Sequence, residues 1–451
     1  MGPVTVVPPP LSAKNVDSFA YPTMKDRIPV IISRIVDNLT RNRDKIIKDY
    51  PGEDSLTELK VIIGAMSQLR YEVMTNKPAA PLRDGRSDSF AWNTELKKET
   101  EKAGEEPKWF DSAWLWMECY MYRRVCESVF MSNCLKDLDV FEEQKQAAFT
   151  NSYKAISSLT MYLMEILSEQ ELTPLGSMTK NYFLDFLQLS LWGNKCDLSI
   201  SAGNQNHQEH NPIEQLAKLK PFILIDQAED VFQILCSAWE RLGGQPGQVD
   251  IVLDNAGFEL VTDLCLAEFL VSTGLASKIC FHVKAMPWFV SDVTERDFMW
   301  TLKQMSAMNH LAISRFSQKW KSYLQDGKWS LRVSDYWTMP NDYNQMKELF
   351  PNLYSDLSST DFILFKGDLN YRKLVGDLQW DPTTDFSVAL RDFKPAPLCV
   401  LRTLKSDVVV GLNPGQAEDV KKIDGNWMIN GEWAVISVQS VDPSTSESTA
   451  H

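Results

Sequence analysis

The spacing of apolar residues changes character near the middle of the chain. In the first half they recur every three or four positions, as in the segment MKDRIPVIISRIVDNL (24–39), and this period predicts amphipathic helices. Segments 111–130, 142–169 and 177–192 have the same helical character. The stretch IEQLAKLKPFILIDQAEDVFQILCSAWERL (213–242) predicts one more helix. We therefore expect residues 1–245 to form a predominantly helical N-terminal region.

From about residue 249 the pattern becomes short and β-rich. VDIVLDN (249–255), a helical segment and KICFHVK (278–284) predict a βαβ unit, whose strands are parallel with a right-handed crossover. A helix is predicted near 294–309. Further strands are predicted within WSLRVSDYW (329–337), DFILFKG (361–367), LCVLRTL (398–404) and WAVISVQ (433–439). We assign 246–442 to an α/β domain and expect the polar residues 443–451 to be a disordered tail.

The composition argues against nucleic acids and membranes as binding partners. The chain of 451 residues carries 46 basic and 60 acidic residues, a net charge of −14, without a basic run that could neutralise a nucleic-acid backbone. No apolar run approaches the length of a membrane span, and the N-terminus lacks a secretory signal pattern. The eight cysteines contain no CxxC pair, which favours reduced thiols. We expect a cytoplasmic protein, also compatible with the nucleus, that binds neither nucleic acid nor a membrane.

Polar side chains follow four of the predicted strands. Asp254 and Asn255 end the first, Asp292 follows the second, and the loop from Lys366 to Arg372 and the residue Lys405 follow two others. In an open α/β sheet, ligands bind outside the carboxyl ends of the strands. The sequence therefore predicts one site at this edge.

These residue types are chemically complementary. Asp254, Asn255 and Asp292 offer hard oxygen ligands suited to Mg²⁺ or Mn²⁺. Arg372 and Lys405 offer donors suited to phosphate oxygens. Gly257 and the helix start that follows it would form the floor for an anion.

Each residue also has a purely structural interpretation, which the sequence leaves open. Asp254 and Asn255 could cap the next helix, and Asp292 could cap the helix after it. Glu259 shares a helix face with Asp263, so a solvated surface is the default for both. Asp368 and Asn370 could be turn residues, and Arg372 and Lys405 could be surface cations.

Common nucleotide-binding and hydrolase motifs are missing. The chain contains no GxGxxG after a strand, no GxxxxGK[ST] and no GxSxG. A typical methyltransferase would have a glycine-rich loop after its first strand, where DNAGFE offers a single glycine.

Several long segments together resemble one known family. They are SFAYPTMKDRIP (18–29), WLWMECYMYRR (114–124), SLWGNKCDLS (190–199), VLDNAGFELVTDL (252–264), PWFVSDV (287–293), LFKGDLNYRKL (364–374) and LRTLK (401–405). The sequence resembles, over nearly its whole length, the metal-dependent damage-control phosphatases. The similarity is to the eukaryotic subfamily marked by an RTxK motif, which stands here as Arg402-Thr403-Leu404-Lys405.

The resemblance implies a three-layer α/β/α sandwich with a mostly parallel sheet, and one divalent metal (Mn²⁺, Co²⁺, Ni²⁺ or Mg²⁺). It implies metal ligation by Asp254, Asn255 and Asp292, and catalytic roles for Asp254, Asp292 and Lys405. It implies substrate binding by Asp254, Asn255, Glu259, Asp368, Leu369, Asn370, Tyr371, Arg372 and Lys405. Asn194 and Asp197 match a GNxxD pattern and would approach the site from the helical half.

The expected function is hydrolysis of small sugar phosphates, such as fructose 1-phosphate or fructose 6-phosphate, in metabolite damage control. Either Asp254 attacks to give an aspartyl-phosphate or a metal-activated water attacks, with Asp292 or Glu259 as base; the sequence leaves both routes open. The same subfamily is also described as an acidic residue methyltransferase. The alternative is therefore S-adenosylmethionine-dependent methylation of glutamate side chains on a partner protein, against which the missing glycine-rich loop counts.

Overall fold

The computed structural model describes residues 6–169, 172–193, 195 and 212–440. Asn194, Asp197 and the expected tail 443–451 lie outside these ranges. In the N-terminal part, α1 (Ala20–Pro22) continues through a π-helical turn (Thr23–Arg27) into α2 (Ile28–Arg41). The helices that follow are α3 (Arg43–Asp49), α4 (Ser55–Met74), α5 (Ser89–Ala103), α6 (Trp114–Phe130), α7 (Glu142–Asn151), α8 (Tyr153–Ile166), α9 (Ser177–Leu191) and α10 (Pro212–Leu219).

The apolar period correctly predicted α2, α6 and α9 and the helical structure over 142–169, with one break that it missed. It made no separate prediction for α4 and α5. Ile28, Ile32 and Ile35 form a buried stripe on α2. The segment 142–169 contains two helices rather than one, α7 and α8, which meet at the buried residue Ser152.

Seven strands form a single sheet in the order β1-β7-β6-β5-β2-β3-β4. They are β1 (Ile223–Asp226), β2 (Gly247–Val252), β3 (Ala276–Lys284), β4 (Trp329–Ser334), β5 (Phe362–Lys366), β6 (Leu398–Thr403) and β7 (Ala434–Gln439). Strands β2 to β6 are parallel, β7 is antiparallel to β6, and β1 is parallel to β7. The predicted βαβ pair, β2 and β3, is parallel and adjacent, as expected.

The prediction of one helix over 213–242 was wrong. Helix α10 ends at Leu219, a 3₁₀ turn spans Lys220–Phe222, and ILID forms β1 before the next helix begins at Ala228. Pro221 cannot donate the backbone hydrogen bond that a continuing helix needs. β1 instead pairs with β7, more than 200 residues away, a contact that local periodicity cannot reveal. The sheet thus begins within the region expected to be predominantly helical.

Helices cover both faces of the sheet. The remaining ones are α11 (Ala228–Arg241), α12 (Phe258–Ser272), α13 (Glu295–Ala307), α14 (Leu311–Gln325), α15 (Met346–Leu349), α16 (Pro351–Ser358), α17 (Gly367–Val375), α18 (Phe386–Ala389) and α19 (Gln416–Ile423). Successive residues of a strand point to opposite faces of the sheet and belong to two different cores. Val252 and Phe365 pack on one face with α2, α4 and α6. Ile251 and Leu364 pack on the other face with α8, α9 and α12. The fold is therefore an α/β/α sandwich with a mostly parallel sheet.

None of the described helices is long and apolar enough to cross a membrane. The described cysteines are free thiols, as the sequence predicted, and most of them are buried.

Candidate active site

A cavity of about 550 Å³ opens at the edge of the sheet where β2, β3, β5 and β6 end. Seven of the residues that the sequence assigned to the site line it together: Asp254, Asn255, Asp292, Asp368, Leu369, Arg372 and Lys405. The wall also includes five residues that sequence reasoning did not assign to the site: Arg27, Trp114, Glu118, Phe289 and Ser291. The ends of four strands thus converge on one cavity, as the strand pattern predicted.

A short backbone bridge places Asp292 beside Asp254 and Asn255. The Ala256 N–H donates to the Ser291 carbonyl at 2.7 Å, and the Val293 N–H donates to the Asp254 carbonyl at 2.8 Å. The Ser291 hydroxyl donates to Asn255 Oδ1 at 2.5 Å. These backbone hydrogen bonds therefore set the separation of the two segments that carry Asp254, Asn255 and Asp292.

These three residues are not helix caps. Helix α12 begins after Gly257, and no side chain caps it. Helix α13 is capped by Thr294, whose hydroxyl accepts from the Asp297 N–H while the Asp297 carboxylate accepts from the Thr294 N–H. The capping interpretations of Asp254, Asn255 and Asp292 are therefore excluded.

The two carboxylates destabilise one another. Burial raises the pKa of Asp254 well above its ordinary value, and the charges of Glu259 and Asp292 add to the effect. Burial also raises the pKa of Asp292 to about 6, although Lys284 opposes it. The Lys284 ammonium forms an ion pair with Asp292 Oδ2 at 3.3 Å. Buried, crowded oxygens of this kind fit a divalent cation, whose charge would remove the mutual repulsion.

Gly367 lets α17 begin directly against Asp254. Its φ is +86°, and a Cβ atom at this position would lie only 1.9 Å from Asp254 Oδ2. Only glycine satisfies both the backbone conformation and the close approach. The first residue of α17 therefore fixes where the Asp254 carboxylate can lie.

Asp368 joins α17 to the RTLK segment. Arg402, which is fully buried, donates through Nε to Asp368 Oδ1 at 2.7 Å, and the Lys405 N–H donates to the same oxygen at 3.0 Å. Burial acts to raise the pKa of Asp368, but the charges of Arg402 and Arg372 outweigh it and lower the pKa. The arginine of the motif therefore holds the loop, while Lys405 lines the cavity.

Arg372 is buried rather than a surface cation. Its Nε and Nη2 donate to the two carboxylate oxygens of Asp377 at 2.8 and 2.9 Å, and its Nη1 donates to Glu118 at 2.7 Å. The guanidinium group also lies 3.9 Å from the centre of the Trp114 ring. An arginine has five N–H donors, so two remain for a ligand in the cavity.

The expectation that Glu259 and Asp263 lie on a solvated helix face was wrong. Both are buried, and Lys366 from the end of β5 lies between them, 2.7 Å from Asp263 and 3.4 Å from Glu259. Asn255 Nδ2 donates to Glu259 Oε2 at 2.9 Å and to Asp254 Oδ2 at 2.7 Å. Glu259 thus lies behind Asn255 and outside the residues that line the cavity.

Asn370 and Tyr371 also lie outside the cavity wall. Asn370 Nδ2 donates to the Lys366 carbonyl at 2.7 Å, and Asn370 Oδ1 accepts from the Tyr343 hydroxyl at 2.5 Å. The Tyr371 hydroxyl accepts from the Val410 N–H at 2.9 Å. Gly257, expected at the floor of an anion site, instead lies against α7. A Cβ atom at position 257 would be 3.2 Å from the Cβ atom of Ala148.

The loop before Asp292 has an uncommon backbone. Phe289 and Val290 have φ values of 43° and 72°, a region that non-glycine residues seldom adopt and β-branched residues avoid. The Asp292 N–H donates to the Trp288 carbonyl at 3.1 Å, and the Phe289 ring stacks on Tyr122 at 4.6 Å. The surrounding contacts therefore hold a strained turn next to a cavity carboxylate.

A second cluster contains residue types that can hold a metal. Ligand atoms of Asp250, Cys280 and His282 lie within 4.8 Å of one another, in the middle of β2 and β3. Burial acts to lower the pKa of His282, but the hydrogen bonds and charges of Asp250 and Cys280 together outweigh burial and raise the pKa to about 9. The cluster is therefore a buried ion pair outside the cavity, and its nitrogen, sulfur and oxygen atoms also form a possible metal site.

Some of the residues that sequence reasoning missed had a detectable signal. Lys284 is a charged residue at the end of an otherwise apolar strand, where a buried counter-ion is a reasonable inference. Arg27, Trp114 and Glu118 lie inside the segments that carry the family resemblance, but nothing local places α2 or α6 beside the sheet edge.

Comparisons with known proteins find relatives along nearly the whole chain. Residues 23–420 match the model of the family described as "Damage-control phosphatase ARMT1-like domain". A relative from Danio rerio named "Damage-control phosphatase ARMT1" is 47% identical over 437 residues, 96% of this chain and 97% of the relative. Relatives with the same name from Xenopus laevis and Homo sapiens are 44% and 41% identical, covering 95% and 96% of this chain and 98% of each relative. A solved DUF89 family protein from Pyrococcus horikoshii aligns with 83% of this chain and 96% of its own, at 13% identity and a TM-score of 0.40. The chain belongs to the damage-control phosphatase ARMT1-like family and is a phosphatase.

Proposed function

We propose that the cavity hydrolyses phosphate monoesters of small sugars, such as fructose 1-phosphate and fructose 6-phosphate, with one divalent metal bound. The observation that supports this proposal is the pair of buried, mutually destabilising carboxylates, Asp254 and Asp292, in one cavity with Lys405 and Arg372. Carboxylates that repel one another favour a cation between them, and the two basic side chains favour a phosphate beside it.

Asp254, Asn255 and Asp292 would hold the metal. Mn²⁺, Co²⁺, Ni²⁺ and Mg²⁺ all accept oxygen ligands of these types. When bound, the cation supplies Lewis acidity and positive charge for the phosphoryl group.

The side chains of the cavity have distinct roles in this proposal. Lys405 and the two unused N–H groups of Arg372 bind the phosphate oxygens and neutralise their charge. Asp292, a buried carboxylate in the cavity wall, accepts the proton of an attacking water. Glu259 is less suited to this step, because it lies behind Asn255. Trp114, Leu369 and Phe289 provide apolar surface for the carbon skeleton of the metabolite.

The test begins with protein stripped of metal by a chelator. Phosphate release is measured over a panel of sugar phosphates after Mn²⁺, Co²⁺, Ni²⁺ or Mg²⁺ is restored. We expect release only with metal, and its loss in Asp254→Ala. Asp419→Ala serves as the matched control, since that carboxylate is exposed on α19 and pairs only with Lys422 among the described residues.

Metal-independent release, or full activity of Asp254→Ala, would contradict the proposal. The alternative, methyl transfer from S-adenosylmethionine to a protein carboxylate, stays a prediction from the resemblance. It would be favoured if a preparation without phosphatase activity transferred methyl groups.

A further inference from the structure

Arg27 reaches the cavity from the helical part of the chain. It is the last residue of the π-helical turn Thr23–Arg27, in which the Ile28 N–H donates to the Thr23 carbonyl five residues earlier. The next residue, Pro29, has no N–H to donate, so the helix cannot keep its ordinary pattern here. Single π-helical turns occur frequently at functional sites, because the extra residue re-aims the side chains around it.

The side chain of Arg27 is free to bind a ligand. It is exposed, and among the described residues no carboxylate pairs with it. Arg372, by contrast, uses three donors on Asp377 and Glu118, and Arg402 is fully buried in its own loop. Of the cations that line the cavity, Arg27 and Lys405 are the two without an ion pair in the described part of the chain.

These two cations come from different segments of the chain. Arg27 lies in the π-helical turn before α2, and Lys405 lies in the RTLK segment, just after the end of β6. Both line the cavity, so each segment contributes one cation to its wall.

We propose that Arg27 is a substrate-anchoring residue, which donates to the phosphate of the bound metabolite from the helical part of the chain while Lys405 contacts it from the RTLK segment. The inference rests on the proposed function. A guanidinium group can offer two parallel N–H donors to phosphate oxygens, and it is more weakly hydrated than an ammonium group, so it loses little hydration when the ligand binds. The helical N-terminal part of the chain then contributes directly to substrate affinity.

The experiment compares Arg27→Gln and Arg27→Lys with the wild-type protein. Lys25→Gln is the matched control, since Lys25 lies in the same π-helical turn, is exposed, and contacts Tyr21 rather than the cavity. Three quantities are measured with Mn²⁺ present: KM and kcat for fructose 6-phosphate, the inhibition constant of inorganic phosphate, and calorimetric binding of inorganic phosphate.

For Arg27→Gln we expect KM and the phosphate inhibition constant to rise about tenfold, with kcat changed less than about threefold, because binding is lost in the ground state and the transition state alike. Arg27→Lys should recover part of the affinity, and Lys25→Gln should match the wild-type protein. The temperature of unfolding should not change in any variant, since Arg27 has no ion-pair partner to lose in the described part of the chain.

The inference is overturned if Arg27→Gln binds inorganic phosphate and substrate within twofold of the wild-type protein. It is also overturned if Lys25→Gln weakens phosphate binding equally, since the effect would then reflect net charge alone. Failure of the proposed function gives a different result: the wild-type protein would release no phosphate from sugar phosphates. The Arg27 contact would then be judged on calorimetric binding of inorganic phosphate, which does not require turnover.

Discussion

Replacing Gly367 by alanine tests whether the start of α17 fixes the position of Asp254. The added Cβ would lie 1.9 Å from Asp254 Oδ2, whereas real Cβ atoms essentially never approach another atom within 3.0 Å. The carboxylate or the helix must therefore move by at least 1.1 Å, the difference between these distances. A misplacement of about 1 Å costs roughly 100-fold in rate, so we expect kcat/KM to fall by about two orders of magnitude.

A matched control separates this displacement from backbone strain. Gly327 has a φ of +71°, and no atom lies within 4 Å of the position that a Cβ would occupy there, so Gly327→Ala incurs only the cost of a left-handed alanine. That cost is roughly 1–2 kcal/mol. We expect Gly327→Ala to lose about this much free energy of unfolding in urea denaturation. Gly367→Ala should lose more, because its clash adds to the same backbone cost.

Phosphate release and Mn²⁺ titration then distinguish the two variants. Gly327→Ala should retain the activity and metal affinity of the wild-type protein, while Gly367→Ala loses both. If Gly367→Ala kept full activity at full metal affinity, the placement of Asp254 would not depend on α17, and the reasoning from the close contact would be refuted.

Three further outcomes are expected. Mn²⁺ at 100 times its dissociation constant should add about 2.7 kcal/mol to the free energy of unfolding of the wild-type protein and nothing to that of Asp254→Ala. Thermal-shift measurements check this, and equal stabilisation of both proteins would mean that the metal binds elsewhere. Arg402→Met should lower the free energy of unfolding by about 3–5 kcal/mol, since it leaves Asp368, whose side chain is only 14% exposed, without its ion-pair partner; a loss below about 1 kcal/mol in urea would contradict this. The pKa of His282 is raised to about 9 when folded, so its pairing with Asp250 stabilises the protein fully below pH 6.5, and this contribution is lost as the pH rises through 9. The stability difference between the wild-type protein and His282→Gln should therefore shrink, by on the order of 3 kcal/mol, between pH 6 and pH 10; a constant difference would show that His282 is neutral when folded.

The placement of the candidate site at the sheet edge was predictable because it depends on a general property of parallel strands. Asp254, Asp292, Lys405 and the start of α17 all follow strands that run in the same direction, so their meeting point needs no detailed packing information. The apolar period and the β-rich runs were sufficient for that step.

What the sequence could not provide were contacts between distant segments. The four residues of β1 are too few to stand out between two helical patterns, and only the partner strand β7 makes them a strand. Glu259 and Asp263 had the spacing of a solvated helix face, and the lysine that buries them, Lys366, comes from another strand more than 100 residues later.

The same limit applies to Arg372. Its position in the KGDLNYR loop suggested a cation available to a phosphate, but gave no sign that Asp377 and Glu118 occupy three of its five donors and leave two for a ligand. Glu118 precedes Arg372 by 254 positions in the sequence and lies on α6. Only the tertiary packing brings the two side chains into contact.

The turn at Phe289 and Val290 has a consequence for laboratory evolution of the protein. A β-branched residue at a φ of 72° lowers the stability of the native state, and glycine at position 290 would remove that cost. Selection for heat resistance alone should therefore favour such a replacement. Because the turn leads directly to Ser291 and Asp292, the relaxed loop would hold the Asp292 carboxylate less firmly at the cavity wall, so thermostable variants altered here should be poorer enzymes.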